Sequence, residues 1–336
     1  MKDKRILLAN SLLLGALLLF ISIPLIAIKV FRLQGSISGD TSLLLSGGSS
    51  VIALGGIALL YCRITKRSFN KVMVIKKISL KQVFLIMSIS VGTYIFAIGV
   101  NMISMKLFPI AIKDSMAISK LLNSSSTLLG LVVIVLVPAF FEEIFFRGIF
   151  LDAYEGINKK IKFFIITAIF ATFHGNVMQI IYVMFLGLVL LKVREYTGSL
   201  VGSMTLHAVN NAISFILSKV VMNYMKLVNN GIKNGVIDQT QVQAAATTDA
   251  MNASLTVILL RASIFLLIGG SILFINLRKL KEYKEEKDGL DLIEEEKDIE
   301  GKYIARKEEI IDIDRRHYIP LVIYFISMTV LVVLRY

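Results

Sequence analysis

An all-α, polytopic transmembrane helix bundle of about eight to nine spans is the fold this sequence predicts, and three observations predict it. Hydrophobic residues make up 56% of the 336-residue chain, and the mean hydropathy is +0.74, a more apolar composition than soluble domains carry. Apolar runs long enough to cross a hydrocarbon core of ~30 Å recur from end to end. Between them, lysine and arginine gather in connections, as topology signals do. The formal net charge of +13 therefore reads as basic residues facing the anionic lipid of a bilayer, and no nucleic-acid partner is expected. The single cysteine, Cys62, cannot form an internal disulfide.

The elements follow in order. After the charged start at Met1–Arg5, the run Ile6 to Phe31 is too long for a signal-peptide core and lacks a small-x-small site, so it reads as an uncleaved first span. The second span covers about Ser42 to Cys62, where two Gly-Gly pairs allow close helix approach. Arg63 to Lys81 is rich in lysine and arginine and holds no acid. It reads either as an interfacial amphipathic helix or as a plain basic loop. The third span is about Val83 to Met105, and Lys106 to Ser125 connects it to a fourth that starts near Thr127 and emerges at Asp152 to Lys162. Two shorter helices, about Phe163 to Phe173 and Val177 to Leu191, pivot on His174-Gly175-Asn176. The seventh span is about Leu200 to Val221. A polar loop, Asn223 to Asn252, precedes the eighth at about Leu255 to Leu277. Arg278 to Arg316 mixes both signs of charge in helical style, and Tyr318 to Leu334 is the ninth apolar run.

With this count every basic connection falls on one side. Positive-inside counting then places the N-terminus in the cytoplasm and the C-terminus outside a multi-pass cell-membrane protein. No internal repeat of the transporter kind is visible. The chain divides into N-terminal helices with their basic connector (1–125), a central core (126–222) and a C-terminal part (223–336).

The central core carries the chemistry. Glu142, Glu143 and Arg147 lie within an apolar run, where a charge costs at least ~2.5 kcal/mol and stays only for a reason. Helical spacing pairs Glu143 with Arg147 and leaves Glu142 to face a cavity. The same spacing puts His207 and Asn211 on one face of the seventh span, and His174 ends an apolar helix. Together these side chains are an inventory for activating water against a carbonyl. A glutamate with its pKa raised by apolar surroundings takes the proton, and a neutral imidazole orients the water. A second histidine and a carboxamide donate hydrogen bonds to the oxyanion. Alternatively, Glu142, His174 and His207 could hold a divalent metal such as zinc, which the sequence does not require, since it contains no His-Glu-x-x-His. A structural role for each residue taken singly, an ion-relay transporter, and an idle scaffold or immunity factor are the competing readings. His317 reads as an interfacial residue, and Arg261 as a charge that either snorkels outward or faces the cavity.

Glu142-Glu143-Ile144-Phe145-Phe146-Arg147, then Phe170 to His174, then His207 to Asn211, in that order on successive helices, resembles the CPBP family of intramembrane proteases, which includes the type II CAAX prenyl endopeptidases and the bacteriocin-related Abi proteins. The resemblance covers about Leu128 to Phe215. It implies an endopeptidase in which Glu142 and His174 activate the water, His207 and Asn211 stabilise the oxyanion, and Glu143 and Arg147 support the site. The implied substrate is a peptide or membrane-anchored protein of CAAX or bacteriocin type.

Overall fold

Seven helices are long and apolar enough to cross a membrane among the described residues, and with a shorter helical hairpin they make an all-α bundle. The computed structural model describes residues 2–32, 37–109, 121–122, 124–238, 253–298 and 314–335. In chain order the helices are α1 (Lys2–Val30), α2 (Gly39–Thr65), α3 (Phe69–Met73), α4 (Leu80–Leu107), α5 (Thr127–Ala153), α6 (Lys159–Phe173), α7 (Val177–Thr197), α8 (Leu200–Lys233), α9 (Leu255–Asp298) and α10 (Ile319–Arg335). The polar loop expected at Asn223 to Asn252 is helical as far as Lys233. The rest of it from residue 239, residues 110–120 of the connection before α5, and residues 299–313 of the charged stretch lie outside the described residues.

Local chemistry explains where the helices start. Ser79 and Gln82 form a reciprocal capping box at the start of α4, which satisfies two otherwise orphaned amides. Asn158, Asn176 and Ser199 cap α6, α7 and α8 with their side chains. Gly198, at φ +62°, ends α7 in the left-handed conformation that glycine adopts without strain. α4 and α9 pack so closely that a Cβ on Gly269 would meet the Gly92 carbonyl and the Phe96 amide; small residues allow backbones to approach where lipid offers no hydrophobic drive.

The basic connections do converge on one end of the bundle. Asp152, at the end of α5, accepts from Arg5 at 3.0 Å and Tyr61 at 2.7 Å, and pairs with Arg67 at 2.8 Å. The Ser199 hydroxyl accepts the Lys76 amide at 2.9 Å, and the Leu200 amide donates to the Val74 carbonyl at 3.1 Å. Lys81 lies over the Tyr283 ring. At the opposite end Asp40 accepts the Ser126 amide at 2.6 Å, and Lys219 donates to the carbonyls of Leu122 and Ser125.

Several sequence expectations need correcting. The Arg63–Lys81 connector is neither an amphipathic helix nor a free loop. Between the end of α2 at Thr65 and the start of α4 at Leu80 only Phe69–Met73 is helical, Val72 and Met73 are buried, and Arg194 donates to the Met73 carbonyl at 3.3 Å. Val72 and Met73 insert into the bundle, whereas Ile75 is exposed. α6, with 15 residues, reaches only ~22 Å at 1.5 Å per residue, short of a full crossing. α9 continues without a break into the charged stretch as far as Asp298, supported by i,i+4 pairs such as Arg278–Glu282 at 2.7 Å and Lys281–Glu285 at 3.1 Å.

Candidate active site

α5 is the helix that presents the acidic pair, and it is not a regular α-helix. Leu131–Leu136 and Glu143–Ile149 both adopt the wider π form. The first lies just ahead of Pro138, whose missing N–H already breaks the ladder. π turns are rare and concentrate at functional sites. Here the second one carries Glu143, Phe145, Phe146 and Arg147, all 0% exposed.

Arg147 and Glu143 form a dry ion pair at 2.9 Å. The guanidinium also donates to the Gly187 carbonyl on α7 at 3.2 Å and lies 4.0 Å from the centre of the Phe170 ring, a cation–π contact. His207, from α8, places Nδ1 2.9 Å from the same Glu143 oxygen. An ionised carboxylate only accepts, so Nδ1 carries a proton and donates it to Glu143. Nε2 faces Glu142 Oε2 at 3.9 Å. That oxygen is buried and has no hydrogen-bond partner.

Glu142, His174, His207 and Asn211 line one cavity of about 360 Å³. Glu143 and Arg147 stand behind it in the core. His174, at the end of α6, has Nδ1 2.9 Å from the Phe170 carbonyl, so its ring is held one turn back along its own helix. Asn211 donates to the Ile134 carbonyl at 3.1 Å, which bridges α8 to the first π segment of α5 rather than to His207. Arg261 is exposed on α9 and is not among the residues lining the cavity.

The sequence reading did not single out Gln179, Tyr182, Ser214 and Ser218, which share the cavity wall. The two serines had a visible signal. With His207 and Asn211 they continue one polar stripe at helical spacing. Phe170 does two jobs, holding Arg147 with its ring and His174 with its carbonyl, and nothing in a phenylalanine inside an apolar helix announces that.

Three cavity donors, Glu142, His174 and His207, are the candidates for a metal. Among the described residues no three His, Cys, Asp or Glu side chains come together as a metal-holding group. Glu143 behind His207 Nδ1 is the kind of partner that orients a metal-ligating imidazole. The chemistry below is taken from the side chains alone.

Residues 124–213 match the family described as type II CAAX prenyl endopeptidase Rce1-like. The matched stretch holds all three motifs, and the family it is similar to agrees with the CAAX-protease resemblance of those motifs. No curated protein and no solved structure matches the chain.

Proposed function

We propose that this protein is an intramembrane endopeptidase that hydrolyses a peptide bond of a membrane-associated peptide or membrane-anchored protein, with a glutamate as the base. The observation that carries the reading is Glu142. Its Oε2 is buried, lacks a hydrogen-bond partner, and lies on the cavity 3.9 Å from His207 Nε2. A buried carboxylate oxygen left without a donor is a demand for a proton, a water or a substrate group.

Charge balance supports the same role. Arg147 pairs with Glu143 at 2.9 Å and is spent there, so Glu142, on the cavity wall, is the carboxylate left to act on a water. Glu142 accepts the proton of a water held between it and His174, and the oxygen attacks the carbonyl. The proton then passes to the leaving amine. His207, whose Nδ1–H donates to Glu143, donates to the oxyanion through Nε2 after taking up a second proton from solvent through the cavity, and releases that proton when the oxyanion collapses. Asn211, on the same stripe, is the second donor. The bacteriocin-type and CAAX-type substrates remain alternatives of one chemistry. The N-terminus is cytoplasmic in this proposal, since the basic connections share one end.

The test is cleavage of a farnesylated CAAX peptide and of a library of apolar peptides by the purified full chain. Glu142→Gln keeps the shape and removes the base, and a general base contributes ~10²–10⁴-fold. The expected result is a loss of that size at unchanged thermal stability. Full activity in Glu142→Gln sinks the mechanism. Zinc analysis of the active protein, with chelator-treated controls, decides whether a metal participates.

A further inference from the structure

The cavity has a direction. From Glu142 on α5 its lining runs back to Pro138 and Ile134, and from His207 on α8 it runs onward through Asn211 and Ser214 to Ser218. α5 ends, and α8 begins, at the basic end of the bundle. Both series therefore lead away from that end. Ser218 is ~27 Å along α8 from Leu200 at 1.5 Å per residue, close to the thickness of a hydrocarbon core. Leu43 also lines the cavity, and it sits near the start of α2, the end tied to Ser126 by Asp40.

Toward the basic end the site is shut. Phe145, Phe146, Ile149, Phe150 and Tyr154 are all 0% exposed. Their rings pack edge-on and stacked, with centroids 5.0 Å apart for Phe145–Phe146, 5.5 Å for Phe145–Phe150 and 6.1 Å for Phe150–Tyr154. Close-packed aromatic layers of this kind leave no aqueous path. Beyond them Asp152 is sealed by Arg5, Arg67 and Tyr61.

Basic connections face the cytoplasm. We infer that the candidate active site opens to the non-cytoplasmic face, and that its substrate is an exported or outward-facing apolar peptide segment rather than a cytoplasmic tail. The substrate half of this statement rests on the peptidase reading; the direction of opening does not. The walls suit such a segment. Leu43, Val133 and Ile134 offer an apolar side, and the hydroxyl oxygens of Ser214 and Ser218, whose protons go to carbonyls of α8 itself, remain as acceptors for the N–H groups of an extended backbone.

Thiol accessibility tests the direction without any need for activity. In a Cys62→Ser background, Ser218→Cys and Lys160→Cys are expressed in intact cells and treated with a membrane-impermeant sulfonated maleimide. Ser218→Cys is expected to label in intact cells, and Lys160→Cys only after permeabilisation. The reverse pattern overturns the inference. So does a Ser218→Cys that stays unlabelled from both sides while Ser214→Cys does the same, because a cavity open to the outer aqueous phase admits the reagent. If labelling follows the expected pattern while Glu142→Gln cleaves peptides at the full rate, the peptidase mechanism fails and the outward opening stands.

Discussion

α5 carries two acid–arginine clusters about ten residues apart, and they are built in opposite ways. At the basic end Asp152 gathers donors from three other segments, Arg5 on α1, Tyr61 on α2 and Arg67 in the connector, so that both carboxylate oxygens are occupied. In the core, one oxygen of Glu143 takes both the guanidinium from its own helix and the imidazole from α8, while Glu143 Oε2 and Glu142 Oε2 are left without a hydrogen-bond partner. The Asp152 cluster is saturated and has nothing left to offer a ligand. It is a clasp that ties three chain segments at the membrane surface. The Glu142–Glu143 cluster is deliberately short of donors in a drier place, the arrangement expected where a proton or a substrate supplies the missing partner.

The comparison predicts a graded set of effects. The largest falls on activity: Glu142→Gln lowers cleavage by ~10²–10⁴-fold, whereas Asp152→Asn leaves turnover per folded molecule unchanged. A steady-state assay normalised to folded protein separates the two. Next comes stability in the core. Arg147→Met strands Glu143 as an unpaired buried charge and is expected to cost about 3–5 kcal/mol, seen as a large fall in the thermal midpoint in detergent. Adding Glu143→Gln to that variant removes the stranded charge and recovers most of the loss, without restoring activity. A double variant no more stable than Arg147→Met would mean that the pair is not a coupled unit. Asp152→Asn weakens two arginine contacts at a partly wet site, for about 1–3 kcal/mol. The smallest effect is Glu155→Gln. That carboxylate is more than half exposed and meets Arg5 at 3.0 Å, so its removal shifts stability by at most about 1 kcal/mol. Equal losses for Glu155→Gln and Arg147→Met would break the contrast between the wet and dry clusters.

Much of this was legible in the residues. Apolar run lengths located the spans, because a helix must satisfy its own backbone in lipid and needs ~20 residues to do so. The i,i+4 rule paired Glu143 with Arg147, since that contact lies within one helix turn. The basic connector was misjudged because its apolar residues could as well enter lipid as protein, and only the neighbouring surface decides which. The His207–Glu143 bond was equally out of reach, since it joins residues 64 positions apart, and spacing rules speak only within a helix.

By itself, the sequence determined the fold class, the one-sided distribution of basic connections and the membership of the polar set, because burial in a bilayer penalises each of those choices residue by residue. Only the tertiary structure decided what the set does together. It put Arg147 between Glu143, Gly187 and Phe170, turned Asn211 onto the Ile134 carbonyl, widened α5 into π turns around the acids, and left Glu142 facing a cavity that is plugged by aromatic rings on its basic side. Those outcomes depend on how separate helices pack against one another, and no local pattern in a chain encodes the shape of the space between them.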